Sequence, residues 1–246
     1  MSIALARVSL LIIATTLQTL GVAPPNPIAD EAHQENFHKS SGLSAPANNN
    51  DGTRRTGKVT HLDESTKPRN RKTTVRWGTV YLPYASLVFF WILAILEIRQ
   101  SFSHEDPLNF QFVSGILVTA LASILRIASF RSLGDHFTYQ LAILPSHKLV
   151  TSGPYAYVRH PSYVALLLIS LGCALSFTSS GTALCGWVGA SNADTLMLGV
   201  LTPNIYVSWV FLKRAEAEDR VLREEFGKEW EEWARVVKYK FIPGFY

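Results

Sequence analysis

The chain has 246 residues, 48% of them apolar and only 17% charged, with a formal net charge of +4. A soluble domain carries nearer a quarter charged residues, and here the charge gathers at 51–76 and 213–240 with long apolar runs between, so an ordinary water-soluble domain is excluded. Cys173 and Cys185 offer neither a disulfide framework nor metal-ligand spacing. The basic excess is read by its location along a membrane chain, not as a nucleic-acid surface.

Taken in chain order, residues 3–20 form a first apolar segment that shares features of a signal peptide and of a membrane span. Residues 24–74 are rich in Asn, Ser, Thr, Pro and charge and are expected to be disordered. A helix crossing the ~30 Å hydrocarbon core needs about 20 mainly apolar residues. Residues 77–98 fit, with Trp77 and Tyr81 placed as interface anchors. Residues 110–130 fit as well, with Arg126 near the end of the span, where its side chain can snorkel. Residues 161–177 and 195–212 complete the set, and Pro203 is expected to kink the last span. The chain is thus expected to comprise an N-terminal apolar segment (1–23), a polar segment (24–74) and a membrane domain (75–246). The fold class is all-α: a polytopic transmembrane helical protein of four to five spans with a C-terminal cytosolic amphipathic helix.

The basic residues orient these spans. Eight lie between Arg54 and Arg76, one in the 99–109 loop, three in 131–160, none in 178–194 and eight from Lys213 onward. By the positive-inside rule, 131–160 and the C-terminal tail share the cytosolic face. A cleaved signal peptide would deliver the 54–76 cluster to the opposite side and leave Pro24 at the first mature position. The pattern therefore favours an uncleaved first span with its N-terminus outside.

Two stretches carry candidate chemistry. In the loop from His147 to Tyr163, Gly153-Pro154 marks a turn, and Pro161 suits the first turn of a helix. Arg159 and His160 then stand at the mouth of a membrane helix, where free N–H groups and the helix dipole favour an anion. An equally good reading makes both residues interfacial anchors for lipid headgroups. In the tail, Arg214 and Glu218 are four apart and share a helix face. Leu222, Phe226, Trp230, Trp233 and Val237 form an apolar stripe at helical spacing, suited to packing on the membrane surface or the loops.

The string Leu149-Val-Thr-Ser-Gly-Pro-Tyr155, then Arg159-His-Pro-Ser-Tyr163, then Arg214 with Glu218-Asp219, Leu222 and Phe226-Gly227-Lys-Glu229-Trp230, resembles the isoprenylcysteine carboxyl methyltransferase family. The closing Phe241-Ile-Pro243 is similar to that family's final Ile-Pro. The resemblance runs from about Leu133 to Pro243. It implies an enzyme of the endoplasmic reticulum membrane, with catalytic loops facing the cytosol, that uses S-adenosylmethionine to methylate the carboxylate of a C-terminal S-prenylated cysteine on CaaX-type proteins. Matching positions imply cofactor contacts at Gln140, His147, Lys148, Leu149, Val150, Tyr155, His160, Pro161, Ser162, Tyr163 and Glu218. Arg214 would hold the substrate and share the catalytic role with Glu218. No metal and no nucleic acid are implied. Asp219 departs from the family's frequent second glutamate, Trp230 from a usual tyrosine, and Gly244 from a bulkier apolar residue.

Two rival readings differ in chemistry. A phospholipid N-methyltransferase would share the Arg-His-Pro core, but its amine nucleophile must lose a proton, which His136 or His147 could accept. A non-catalytic membrane scaffold would use the 54–76 basic segment on anionic lipid and would leave the Arg159-His160-Pro161 and Arg214–Glu218 pairing without a purpose.

Overall fold

The computed structural model describes residues 3–23, 82–103, 108–134, 148–189 and 193–244. Its helices are α1 (Ile3–Val22), α2 (Leu82–Ser103), α3 (Phe110–Leu133), α4 (Pro161–Phe177), α5 (Ala183–Val188), α6 (Ala193–Phe226) and α7 (Lys228–Val236), with one 3-10 turn at Gly153–Ala156. Among the described residues there is no strand, as the all-α expectation requires.

The membrane spans follow from length and apolarity. Helix α1, Tyr84–Ser103 of α2, and α3 are each long and apolar enough to cross a bilayer, and α4 is a shorter apolar helix of 17 residues. The 3–20 segment is thus a full helix, and it packs into the bundle: Leu11, Ala14 and Val22 join Leu87, Ala94, Phe112, Ile116, Ala122, Ile169, Cys173 and Phe177 in one core. The span expected at 77–98 is observed over Leu82–Ser103, while Trp77, Tyr81 and the 24–74 segment lie outside the described residues. The 110–130 expectation is extended to Leu133. Asn109 caps its start by accepting from Phe112 N at 2.8 Å, and Gly134 ends it with φ 55°.

The largest change concerns residues 195–212. They belong to one 34-residue helix, α6, which at ~1.5 Å per residue is roughly 50 Å long and exceeds the ~30 Å hydrocarbon core. Its first part exposes Leu198, Ile205, Tyr206 and Trp209, as a lipid-facing helix does. From Lys213 onward it carries charge and leaves the apolar zone. At Gly227 (φ 52°) the chain turns into α7, so the expected amphipathic stripe is shared between two helices.

Helices α3 and α4 approach closely because small residues face each other. A Cβ on Gly115 would come within 2.6 Å of Gly172 O, and one on Gly172 within 2.7 Å of Gly115 O. In lipid, where apolar surface alone does not drive helices together, such close approach supplies the association through van der Waals contact.

The bundle has a polar layer at each end. At one end Arg7 pairs with Glu97, and both are almost fully buried. Glu97 also accepts from Ala183 N at 2.8 Å, and the Arg7 guanidinium lies 4.3 Å from the Phe112 ring centre. At the other end sits Arg126, which the sequence reading placed as a snorkelling residue. That expectation is corrected: Arg126 is 1% exposed and turns inward, donating to Gly21 O at 2.7 Å and to Ser162 O and Oγ at 2.9 and 2.5 Å. Carbonyls of two neighbouring helices and a serine hydroxyl accept from the guanidinium, so the charge is satisfied within the protein.

Candidate active site

The candidate residues converge at the Arg126 end, where α4 begins and α6 emerges. Pro161 occupies the first turn of α4, where its missing N–H costs nothing. The preceding residues are fixed by the C-terminal segment: Arg159 N donates to Tyr239 O at 3.0 Å and His160 N to Lys240 O at 2.8 Å. The N–H groups of Tyr163 and Val164 turn back on His160 O at 3.2 and 3.4 Å. Most donors of the expected anion seat are therefore taken by the protein's own carbonyls, which shifts the task of holding an anion to side chains.

Those side chains form two linked sets. In the first, the Tyr163 hydroxyl donates to Glu218 Oε2 at 2.7 Å and accepts from Arg214 Nε at 2.9 Å. The i, i+4 pair read from the sequence is thus bridged by a tyrosine 51 residues before Arg214. The Tyr163 ring stacks on Phe211 at 5.2 Å and on His160 at 5.6 Å between ring centres. In the second set, Asp219 Oδ1 lies 3.0 Å from His160 Nε2 and Oδ2 lies 3.1 Å from Arg159 Nη1. His160 Nδ1 faces Glu218 Oε2 at 3.7 Å, joining the two. The Glu218 side chain stays 31% exposed while that of Asp219 is 11% exposed, so Glu218 presents its charge outward and Asp219 braces from behind.

An apolar wall adjoins this network. Tyr155, Trp230, Trp233 and Val237 form a cluster against which Leu149, Val150, Leu222 and Phe226 pack. Trp233 Nε1 donates to Tyr155 O at 3.3 Å, and the Arg159 guanidinium lies 5.7 Å from the Trp230 ring centre. Burial pushes the Tyr155 phenol well above its ordinary value, and the neighbouring Glu218 carboxylate adds to the rise. The phenol thus remains a neutral hydrogen-bonding group within electrostatic reach of Glu218.

Of the residues singled out by sequence, His160, Tyr163, Arg214 and Glu218 meet directly. Leu149, Val150 and Tyr155 line the adjoining wall, Lys148 is exposed beside it, and Pro161 is buried in the helix mouth. Ser162 is buried and its hydroxyl is engaged from within by Arg126. Gln140, His136 and His147 lie outside the described residues. From sequence Asp219 was part of the matching string and a departure from the family's frequent glutamate, but it was assigned no role, and Arg126 had no part in the site. Arg126 did leave a signal: it shares α3 with the buried Thr119, Ser123 and Ser129, a polar stripe at helical spacing in an otherwise apolar span. Among the described residues no group of three His, Cys, Asp or Glu could hold a metal ion.

The profile of the isoprenylcysteine carboxyl methyltransferase (ICMT) family matches residues 115–224. A protein of Oryza sativa subsp. indica, called a probable protein-S-isoprenylcysteine O-methyltransferase, is 31% identical over 150 residues, covering 58% of this chain and 69% of its own length. The chain belongs to the isoprenylcysteine carboxyl methyltransferase family. Protein-S-isoprenylcysteine O-methyltransferase B of Arabidopsis thaliana is 30% identical over 125 residues, 50% of this chain and 55% of that one. The human protein-S-isoprenylcysteine O-methyltransferase is 32% identical over 137 residues, 54% of this chain and 42% of that one. The chain thus spans about half the length of these last two relatives. No solved structure matches it. The ICMT match takes in α4 and all but the last two residues of α6, with Arg126, Tyr155, Arg159 to Tyr163, Arg214, Glu218 and Asp219. It stops short of α7 and does not reach α1.

Proposed function

We propose that this ICMT-family chain transfers a methyl group from S-adenosylmethionine to the C-terminal carboxylate of an S-prenylated cysteine in CaaX-type proteins. We place it in the endoplasmic reticulum membrane with the α4 mouth and the C-terminal tail in the cytosol. The observation that carries the reading is the Tyr163 bridge, which sets a guanidinium and a carboxylate side by side where α6 leaves the apolar zone. The basic tail and the basic 131–160 loop support the orientation.

The donor set suits a sulfonium ligand. Glu218 offers a partly exposed carboxylate, and Tyr163, Phe211 and His160 offer stacked aromatic rings beside it. Carboxylates and ring faces both attract cations. When bound, S-adenosylmethionine supplies a methyl group already activated by positively charged sulfur. Glu218, with His160, Tyr163 and the Leu149, Val150 and Tyr155 wall, would hold it. A C-terminal carboxylate has a pKa of about 3.5, so it is already ionised near neutral pH and the site needs no general base. Its requirement is orientation, which can contribute several powers of ten in rate. Arg214 meets that need: its Nε is fixed on Tyr163, which sets the plane of a guanidinium suited to a carboxylate. Asp219, by binding His160 and Arg159 together, keeps the ring behind Glu218 in place.

The test is to supply membranes containing the protein with radiolabelled S-adenosylmethionine and N-acetyl-S-farnesylcysteine. Base-labile methyl ester on the small substrate is expected. Label in phospholipid without ester would overturn the reading in favour of the amine methyltransferase. Label in neither, from inserted and folded protein, would overturn it in favour of a non-catalytic membrane protein.

A further inference from the structure

We propose that Arg126 is a positioning residue which couples α1 to the mouth of α4 and so fixes where Tyr163 holds Arg214 and Glu218. Its kinetic consequence rests on the methyl-transfer reading, whereas its structural consequence does not.

A buried guanidinium inside a membrane bundle is expensive unless its donors are satisfied in a fixed geometry. Arg126 meets that condition by reaching two helices at once. Its Nε binds Gly21 O, in the last turn of α1, while its Nη1 binds both Ser162 O and Ser162 Oγ, in the first turn of α4. The guanidinium rests on Phe130 of its own helix, 4.6 Å from the ring centre. The α1 carbonyl end carries the negative pole of that helix, which favours a cation there. Helices α1 and α3 lie side by side at this point, where a Cβ on Gly21 would sit in van der Waals contact with Ser123 Cα at 3.4 Å.

Ser162 immediately precedes Tyr163, whose hydroxyl aligns Arg214 and Glu218. A shift of the first turn of α4 therefore moves the bridge directly. Helix α1 lies outside the residues that the family profile matches. Arg126 gives it a mechanical connection to the site. Lysine cannot reproduce that connection, because a single ammonium lacks the divergent donors that reach Gly21 and Ser162 together.

The experiment uses the full chain, purified into nanodiscs, as wild type, Arg126→Lys, Ser162→Ala and the double variant. Each is assayed for kcat and KM with N-acetyl-S-farnesylcysteine and for amide hydrogen exchange. Arg126→Lys keeps the charge and is expected to lower kcat at least tenfold with KM within threefold. Exchange should quicken in the first turn of α4 and the last turn of α1, with α2 unchanged. The double variant should lose less than the product of the single losses, because Arg126 acts in part through Ser162. Exchange that quickens equally in every helix, or wild-type kcat in Arg126→Lys, would overturn the proposal. Wild-type protein that forms no methyl ester would sink the functional reading alone, and the exchange pattern would still decide the coupling.

Discussion

Tyr163 carries the burden of alignment at the residue scale. Its hydroxyl is both acceptor for Arg214 and donor to Glu218. Removing one partner from a hydrogen bond to a charged group costs about 1–3 kcal/mol, and ~1.4 kcal/mol is a tenfold change in rate. Tyr163→Phe is therefore expected to lower kcat/KM by roughly tenfold to a hundredfold, in protein whose helix content by circular dichroism in detergent matches wild type. A variant with wild-type kcat/KM would show that Arg214 and Glu218 align without the bridge. The Tyr155 phenol gives a pH prediction of fixed sign. Its folded-state value is raised by burial above the ordinary value near 10. Its contribution to stability is thus fully present below about pH 10 and is lost as pH rises beyond that. Between pH 6 and 9 the stability of wild type and Tyr155→Phe should run parallel when followed by thermal unfolding.

The same scale shows what sequence alone can reveal. Arg214 and Glu218 were legible because helical spacing puts four-apart residues on one face. Their bridge through Tyr163 was not, nor was the link from Asp219 to His160, because partners 51 and 59 residues apart follow from how helices pack, not from local spacing. Arg126 was misread because an arginine near a span end looks the same in sequence whether it turns outward to the interface or inward to carbonyls. The polar stripe it shares with Ser123 and Ser129 was the deciding clue.

At the scale of elements, existence was easier to read than extent. Five apolar runs became helices because composition and length alone require it. The length of α6 was hidden because the change from apolar to charged residues at Lys213 marks the bilayer boundary, while the helix continues through it. The close contact of α3 and α4 rests on Gly115 and Gly172, each facing backbone oxygen of the other helix. Overpacking a close contact costs typically ~1–3 kcal/mol, so Gly172→Val should lower the unfolding temperature measurably, and Gly186→Val, at a position open to space, should not. Equal effects from the two would remove the special place given to this contact.

Across the whole molecule, charge is arranged by depth. The Arg7–Glu97 pair lies at one end of the bundle and the Tyr163 and His160 network at the other, with the apolar core between. Breaking a buried pair by removing one partner costs about 3–5 kcal/mol, whereas replacing both by apolar residues can be nearly neutral. Arg7→Leu alone should therefore destabilise the protein more than the Arg7→Leu/Glu97→Leu double variant, as followed by thermal unfolding in detergent. The reverse order would contradict a buried, paired role. The alternation of basic residues groups the 131–160 loop with the C-terminal tail, and the start of α4 and the emerging part of α6 do meet at one end of the bundle.

The most direct measurement of the central claim compares wild type with Arg214→Ala and Glu218→Ala in the farnesylcysteine methylation assay, with each substrate varied in turn. Arg214→Ala is expected to lose at least a hundredfold in kcat/KM for the prenylcysteine, with direct binding of S-adenosylmethionine retained. Glu218→Ala should weaken that binding. Full methylation by Arg214→Ala would contradict the assignment of the Tyr163-bridged pair as the place where carboxylate and methyl donor meet.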